Sequence, residues 1–256
     1  MSQPLPAEEL KPILGWKVEI LRFTAFPTPL YHTAGPLLFE LATGAQPGKL
    51  SVDNIRNVGS AEGDYRNGKL VVKTTPSRID FLFGVTAGPL TPTFRVIGTL
   101  RETTATLRES IERWFNTGPS LQRLAVGAVL LADASDPVDG YRKLQPLLPN
   151  VSLDPEGSQD LLYRINRPRF CRIDALSLRI NRVAKWNVSR TLPFLQPTQK
   201  SSTLPEPPKS AYACRLELDV NTATEHTDEF PKETLSPILG KLLDFGTELA
   251  EKGDIP

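Results

Sequence analysis

Apolar and polar residues alternate with a period of two at the head of the chain. Trp16, Val18 and Ile20 fall on one face and Lys17, Glu19 and Leu21 on the other, and the phase continues through Arg22 and Phe23 until Pro27 and Pro29 stop it. This is the periodicity of a half-buried strand. Leu37–Leu41 is a compact apolar run that fits a strand or a helical turn equally well, and Gly44 to Gly63 reads mostly as turns through Gln46-Pro47-Gly48 and Val58-Gly59. Asn67-Gly68 stands between strand-forming runs, the signature of a two-residue hairpin turn that needs positive φ angles. In Arg78–Val85, Ile79, Phe81, Phe83 and Val85 share one phase, so a further strand burying aromatic rings is expected.

After residue 100 the period changes. Leu107, Ile111 and Trp114 or Phe115 recur at helical spacing, with Thr103 or Thr104 available as N-cap and Gly118-Pro119 as terminator, which predicts a helix over Thr104–Asn116. Leu121–Leu131 reads as a buried strand. Asp136-Pro137, with Asp139 in the first turn, opens a short helix from Pro137 to about Pro146. Tyr212, Cys214, Leu216, Leu218 and Val220 alternate with polar neighbours as a strand, and Leu235, Ile238, Leu239, Leu242, Leu243 and Leu249 form the apolar stripe of a closing helix. The expected class is α+β: a mainly antiparallel sheet in a β-rich N-terminal part (1–100), and a sheet covered by helices in a C-terminal part (101–256). The two parts either form one continuous core or divide near residue 100. A proline-rich loop near 191–210 cannot join a sheet ladder.

One tetrapeptide, Arg-Ile-Asn-Arg, occurs at 164–167 and again at 179–182. Strand periodicity turns Leu161, Tyr163 and Ile165 inward with Leu176, Leu178 and Ile180, and turns Arg164, Asn166, Arg179 and Asn181 outward. Antiparallel pairing with Ile165 opposite Ile180 would keep like charges apart. Composition changes the picture here, because the net charge of +1 is a cancellation. Residues 161–200 hold nine Lys or Arg against the single acid Asp174, whereas residues 206–256 hold eleven acids and five bases. The candidate binding face therefore consists of Arg164, Asn166, Arg167, Arg169, Arg172, Arg179, Asn181, Arg182 and Lys185, with Tyr163, Phe170 and Trp186 nearby for stacking. Arginine forks bond phosphate or carboxylate in pairs, so the face suits a polyanion or an acidic protein. The alternative is that it meets the chain's own acidic segment through Glu217, Asp219, Asp228, Glu229 and Glu233.

Signals for catalysis are sparse, and no catalytic residue, metal ligand or cofactor is expected. His32 and His226 stand in different halves, Cys171 and Cys214 lack the close spacing of a metal clip, and no phosphate-cradling glycine motif occurs. Asp80, Glu217 and Asp219 are the acids that a metal-dependent nuclease or hydrolase would need to bring together. Two cysteines in 256 residues argue against a disulfide framework, and neither a secretory signal nor a membrane-spanning run is evident. The expectation is a cytoplasmic protein that does not contact membrane.

Leu21–Pro27, Arg78–Asp80, Arg123–Leu131, Leu153–Ser158 with Tyr163–Pro168, and Ile180–Trp186 together resemble an uncharacterised family of bacterial proteins, over most of the chain. The resemblance carries no catalytic residue. A similarity in layout to sporadically distributed bacterial proteins found near defence genes implies a place in a multi-component system. The expected function is a non-enzymatic binding or assembly subunit, through a protein partner or self-association. The runner-up is nucleic-acid binding through the same face, and an unrecognised hydrolase or nuclease comes third.

Overall fold

The computed structural model describes residues 14–30, 35–85, 93–191 and 211–256. The proline-rich loop at 192–210 and His32 lie outside the described residues. The elements run β1 (Lys17–Pro27), α1 (Gly35–Thr43), β2 (Lys49–Asp53), β3 (Val58–Tyr65), β4 (Gly68–Thr75), β5 (Arg78–Gly84), β6 (Gly98–Thr99) and α2 (Leu100–Phe115). They continue with β7 (Leu121–Ala134), α3 (Pro137–Leu144), β8 (Leu162–Asn166), β9 (Arg169–Ile173), β10 (Leu176–Arg190), β11 (Tyr212–Thr222) and α4 (Lys232–Lys252). The fold is α+β: among the described residues, an antiparallel sheet of eleven strands with four α-helices.

The strand order is β2-β3-β4-β5-β1-β7-β11-β10-β8, with β6 beside β1 and β9 beside β10. The sheet runs unbroken across residue 100, because β1 pairs with β5 on one side and β7 on the other. The helices share one face, with α1 against β3 and β4, α2 against β1, and α3 and α4 against β7, β10 and β11. Between layers sits an aromatic cluster in which Phe23, Phe81, Trp114 and Phe115 meet with ring centroids 5.4–6.3 Å apart. At the other end Trp186, Leu216 and Leu218 pack beneath α3 and α4, so one core runs beneath the sheet from β3 to β10.

Local chemistry moves several elements from where periodicity puts them. In β1 a bulge between Val18 and Ile20, in the pairing with β7, reverses the phase, so Leu21 and Phe23 are buried and Ile20 is exposed. The Leu37–Leu41 run belongs to α1, and the supposed turn region 44–63 contains β2 and most of β3. Helix α2 begins earlier than expected because Thr99 and Glu102 form a reciprocal capping box. The hydroxyls of Thr103 and Thr104 instead donate back to the carbonyls of Thr99 and Leu100.

The hairpin between β3 and β4 exists, but its two-residue loop is Arg66-Asn67, with Arg66 at φ 54° and Gly68 already paired to Tyr65. Gly68 is needed for a different reason. A Cβ there would stand 2.5 Å from the Gly84 carbonyl oxygen.

Candidate binding surface

Strand parity divides the nine basic-face residues into two sets. Along β10, Leu178, Ile180, Arg182, Ala184 and Trp186 are buried beneath the helices, which leaves Arg179, Asn181 and Lys185 on the opposite, uncovered face. Arg182 is therefore fully buried rather than part of an exposed face. The strand β10 is long enough to pair with both β8 and β9, which form one edge strand broken at Arg167-Pro168. Ile165 stands opposite Ala184 and Ile180 opposite Arg169, so the expected Ile165–Ile180 register does not occur. The register is set instead by the hairpin that joins β9 to β10 through Asp174-Ala175, with Asp174 at φ 51°, and β8 keeps the same register beyond Pro168.

The two tetrapeptide copies still meet through their asparagines. Asn166 Nδ2 donates to Asn181 Oδ1 at 3.2 Å, and Asn166 Oδ1 accepts from the Arg182 amide at 3.0 Å. Asn181 in turn donates to Asn221 Oδ1 (3.1 Å), and Asn221 to Asp219 Oδ1 (3.0 Å). A chain of amides thus crosses β8, β10 and β11 on the uncovered face, every donor pointing towards Asp219.

The inner set closes a seam against the end of α4. Asp254 is fully buried and takes a bidentate fork from Arg167 (2.7 and 2.9 Å) together with hydrogen bonds from Tyr163 (2.6 Å) and Asn150 (3.3 Å). The Arg167 hydrogen bonds hold the Asp254 carboxyl down at about 2. Arg169 reaches Glu248 at 2.7 Å, and Arg182 reaches the same carboxylate oxygen at 3.1 Å. Burial, then the neighbouring Arg169, lowers the pKa of Arg182. Its guanidinium lies 5.3 Å over the Phe245 ring, and its Nε and Nη1 have no hydrogen-bond partner.

Of the acids expected to neutralise the arginines, Glu217 does so, through Lys185 at 2.9 Å. The other partners are Glu225, Glu248 in the last turns of α4, and Asp254 two residues beyond its end. Tyr163 and Trp186 stack on each other on the inner face, 5.8 Å apart, and so are not a platform for bases. Phe170 and Arg172 are exposed on the broken edge strand.

Of the outer set, Arg164 and Lys185 border a groove of about 410 Å³ that crosses six strands from Leu82 to Arg164. Its floor includes Ile20, Leu82, Val129 and Val183, and Arg22, Arg164 and Lys185 reach into it. Gly127 makes room for Arg22, since a Cβ there would lie 3.1 Å from Arg22 Nη2. The Nε of Arg22 is buried without a hydrogen-bond partner. Arg164 stands directly opposite Lys185, a like-charge pair that the expected register would have avoided. Neither Arg22 nor Arg164 has an ion pair among the described residues, whereas Lys185 and Arg215 are tied to Glu217 and Glu19. Arg22 joins the site from the first strand, far from the arginine-rich segment. Only the sheet order brings it there, and its outward phase is set by the β1 bulge, since unbroken alternation would put it on the face of Trp16, Val18 and Ile20.

A depression of similar size on α4 is lined by Arg169 and Lys252, both paired to Glu248, by Lys241, which lies 5.2 Å over the Phe245 ring, and by Asp244 and Glu251. The nuclease-type acids do not converge. Asp80 is forked by Arg78 and bonded by Thr24, while Glu217 is held by Lys185 and Arg215. Among the described residues no three His, Cys, Asp or Glu side chains gather closely enough to hold a metal ion. Cys214 is buried on the inner face, its thiol pushed up to about 12 by desolvation. No helix among the described residues is long and apolar enough to cross a membrane. No known family model matches the chain, and no curated protein matches it in sequence.

Proposed function

We propose that this protein is a non-enzymatic binding or assembly subunit that takes an acidic protein partner on the uncovered face of its sheet. The observation that carries this reading is the groove where Arg22 and Arg164 lie without counter-ions. Elsewhere on the same face Lys69–Glu62, Arg78–Asp80 and Lys185–Glu217 are ion pairs. A guanidinium nitrogen that is buried and unbonded costs free energy, and a partner carboxylate would recover it.

Aliphatic residues on the floor favour a protein segment that mixes acids with apolar side chains. Nucleic acid is the second reading, because Arg123 lies 4.6 Å over Phe26 on the same face and its Nε is also unbonded. The groove itself has no aromatic ring to stack a base. The family resemblance is consistent with a cytoplasmic, defence-type assembly in a bacterium.

The test is affinity capture of the full chain from cells that encode it, with and without nuclease treatment. An acidic protein retained in both arms is the expected result. Loss of all bound material on nuclease treatment would transfer the face to nucleic acid, and recovery of nothing in either arm would end the binding reading.

A further inference from the structure

The two edges of the sheet are built differently. One edge, β8 and β9, is interrupted at Arg167-Pro168 and carries Arg164 and Arg172, the usual means of preventing strand addition. The other edge, β2, is a regular five-residue strand, Lys49-Leu50-Ser51-Val52-Asp53, without proline or bulge, and every residue of it is exposed. Leu50 and Val52 are each 54% exposed on the helix side, Ile55 in the following turn is 94% exposed and Val58 is 40% exposed. Helix α1 covers β3 and β4 but stops short of β2.

This strand is complementary to itself. In antiparallel pairing centred on Ser51, Leu50 of one copy meets Val52 of the other, and Lys49 meets Asp53 at both ends. All four contacts respect the pleat, since the paired positions share a face. A two-fold axis requires such a self-matching patch.

We propose that β2 is a homodimerisation edge, along which a second copy of this chain pairs antiparallel and continues the sheet. Two oppositely charged pairs flank an apolar centre on the helix side, and the uncovered binding faces of the two copies become one surface. The proposal is independent of what the groove binds.

Sedimentation equilibrium of the full chain over a roughly hundredfold concentration range tests it. The wild type should dimerise. Val52→Lys, at a position exposed in the single chain, should be monomeric with an unchanged circular dichroism spectrum. Lys49→Asp and Asp53→Lys each place like charges opposite one another at both ends, and each should weaken the dimer roughly tenfold or more. An equimolar mixture of these two variants restores both ion pairs and should dimerise again. A wild type that stays monomeric throughout, a Val52→Lys protein that still dimerises, or a mixture no stronger than its components would overturn the proposal.

Discussion

Asp254 and Arg182 show how differently two buried charges can behave in one seam. Asp254 has four hydrogen bonds and a carboxyl pKa of about 2 against 3.8 ordinarily. A depressed acid stabilises the fold above its unfolded pKa and loses that contribution as pH falls through the folded value. The protein should therefore lose on the order of 1–2 kcal/mol between about pH 4 and pH 2 from this residue alone. Asp254→Asn should remove that part of the acid transition and cost roughly 2 kcal/mol at neutral pH, both read from denaturant unfolding followed across pH. Arg182 is the opposite case, buried with two unbonded nitrogens and one shared carboxylate oxygen. Because Glu248 keeps Arg169 and Lys252, Arg182→Met should be at least as stable as the wild type. A melting temperature several degrees lower would contradict this.

Among the elements, those with one buried and one open face were legible in the sequence. β5, β11, α3 and α4 stand close to where periodicity puts them, because alternation or a helical stripe reports such burial directly, while β7 reads as a continuous apolar run because it is buried almost throughout. Strand β2 does alternate, as Lys49-Leu50-Ser51-Val52-Asp53, but it is five residues long and set between Gln46-Pro47-Gly48 and Val58-Gly59, so the turn signals around it outweigh the alternation. The phase reversal in β1 comes from a bulge against β7, a long-range pairing that no local window contains. The Thr99-Leu-Arg-Glu102 box, by contrast, was legible as a capping box, and the threonines behind it drew attention away. In β10 the inward phase of Leu178 and Ile180 carries on to Arg182, so the second tetrapeptide itself indicated that its last arginine is buried. Ile180 is fully buried and Ile165 only partly, so Ile180→Ala should cost about 2–5 kcal/mol and Ile165→Ala clearly less, measured by chemical denaturation.

At the scale of the whole molecule, the opposed charges of the two C-terminal segments are used twice. Arg167, Arg169 and Arg182 meet Asp254 and Glu248 and fasten the end of α4 to the sheet, while Arg164 and Arg22 lie on the far side in a groove they share with Glu217 and Asp219 but make no ion pair among the described residues. The candidate site was half legible for this reason. Local charge counts found the segment, but only strand parity and the sheet order separate the arginines that hold the fold from those left for a partner. The most direct measurement is calorimetric titration of the captured partner into the wild type and into the Arg22→Glu, Arg164→Glu double variant, with melting temperatures taken alongside. The double variant should bind roughly a hundredfold more weakly and melt as the wild type does, since neither arginine has an internal ion pair to lose. Unchanged affinity, or a melting temperature that falls together with binding, would contradict the assignment of these arginines to a partner.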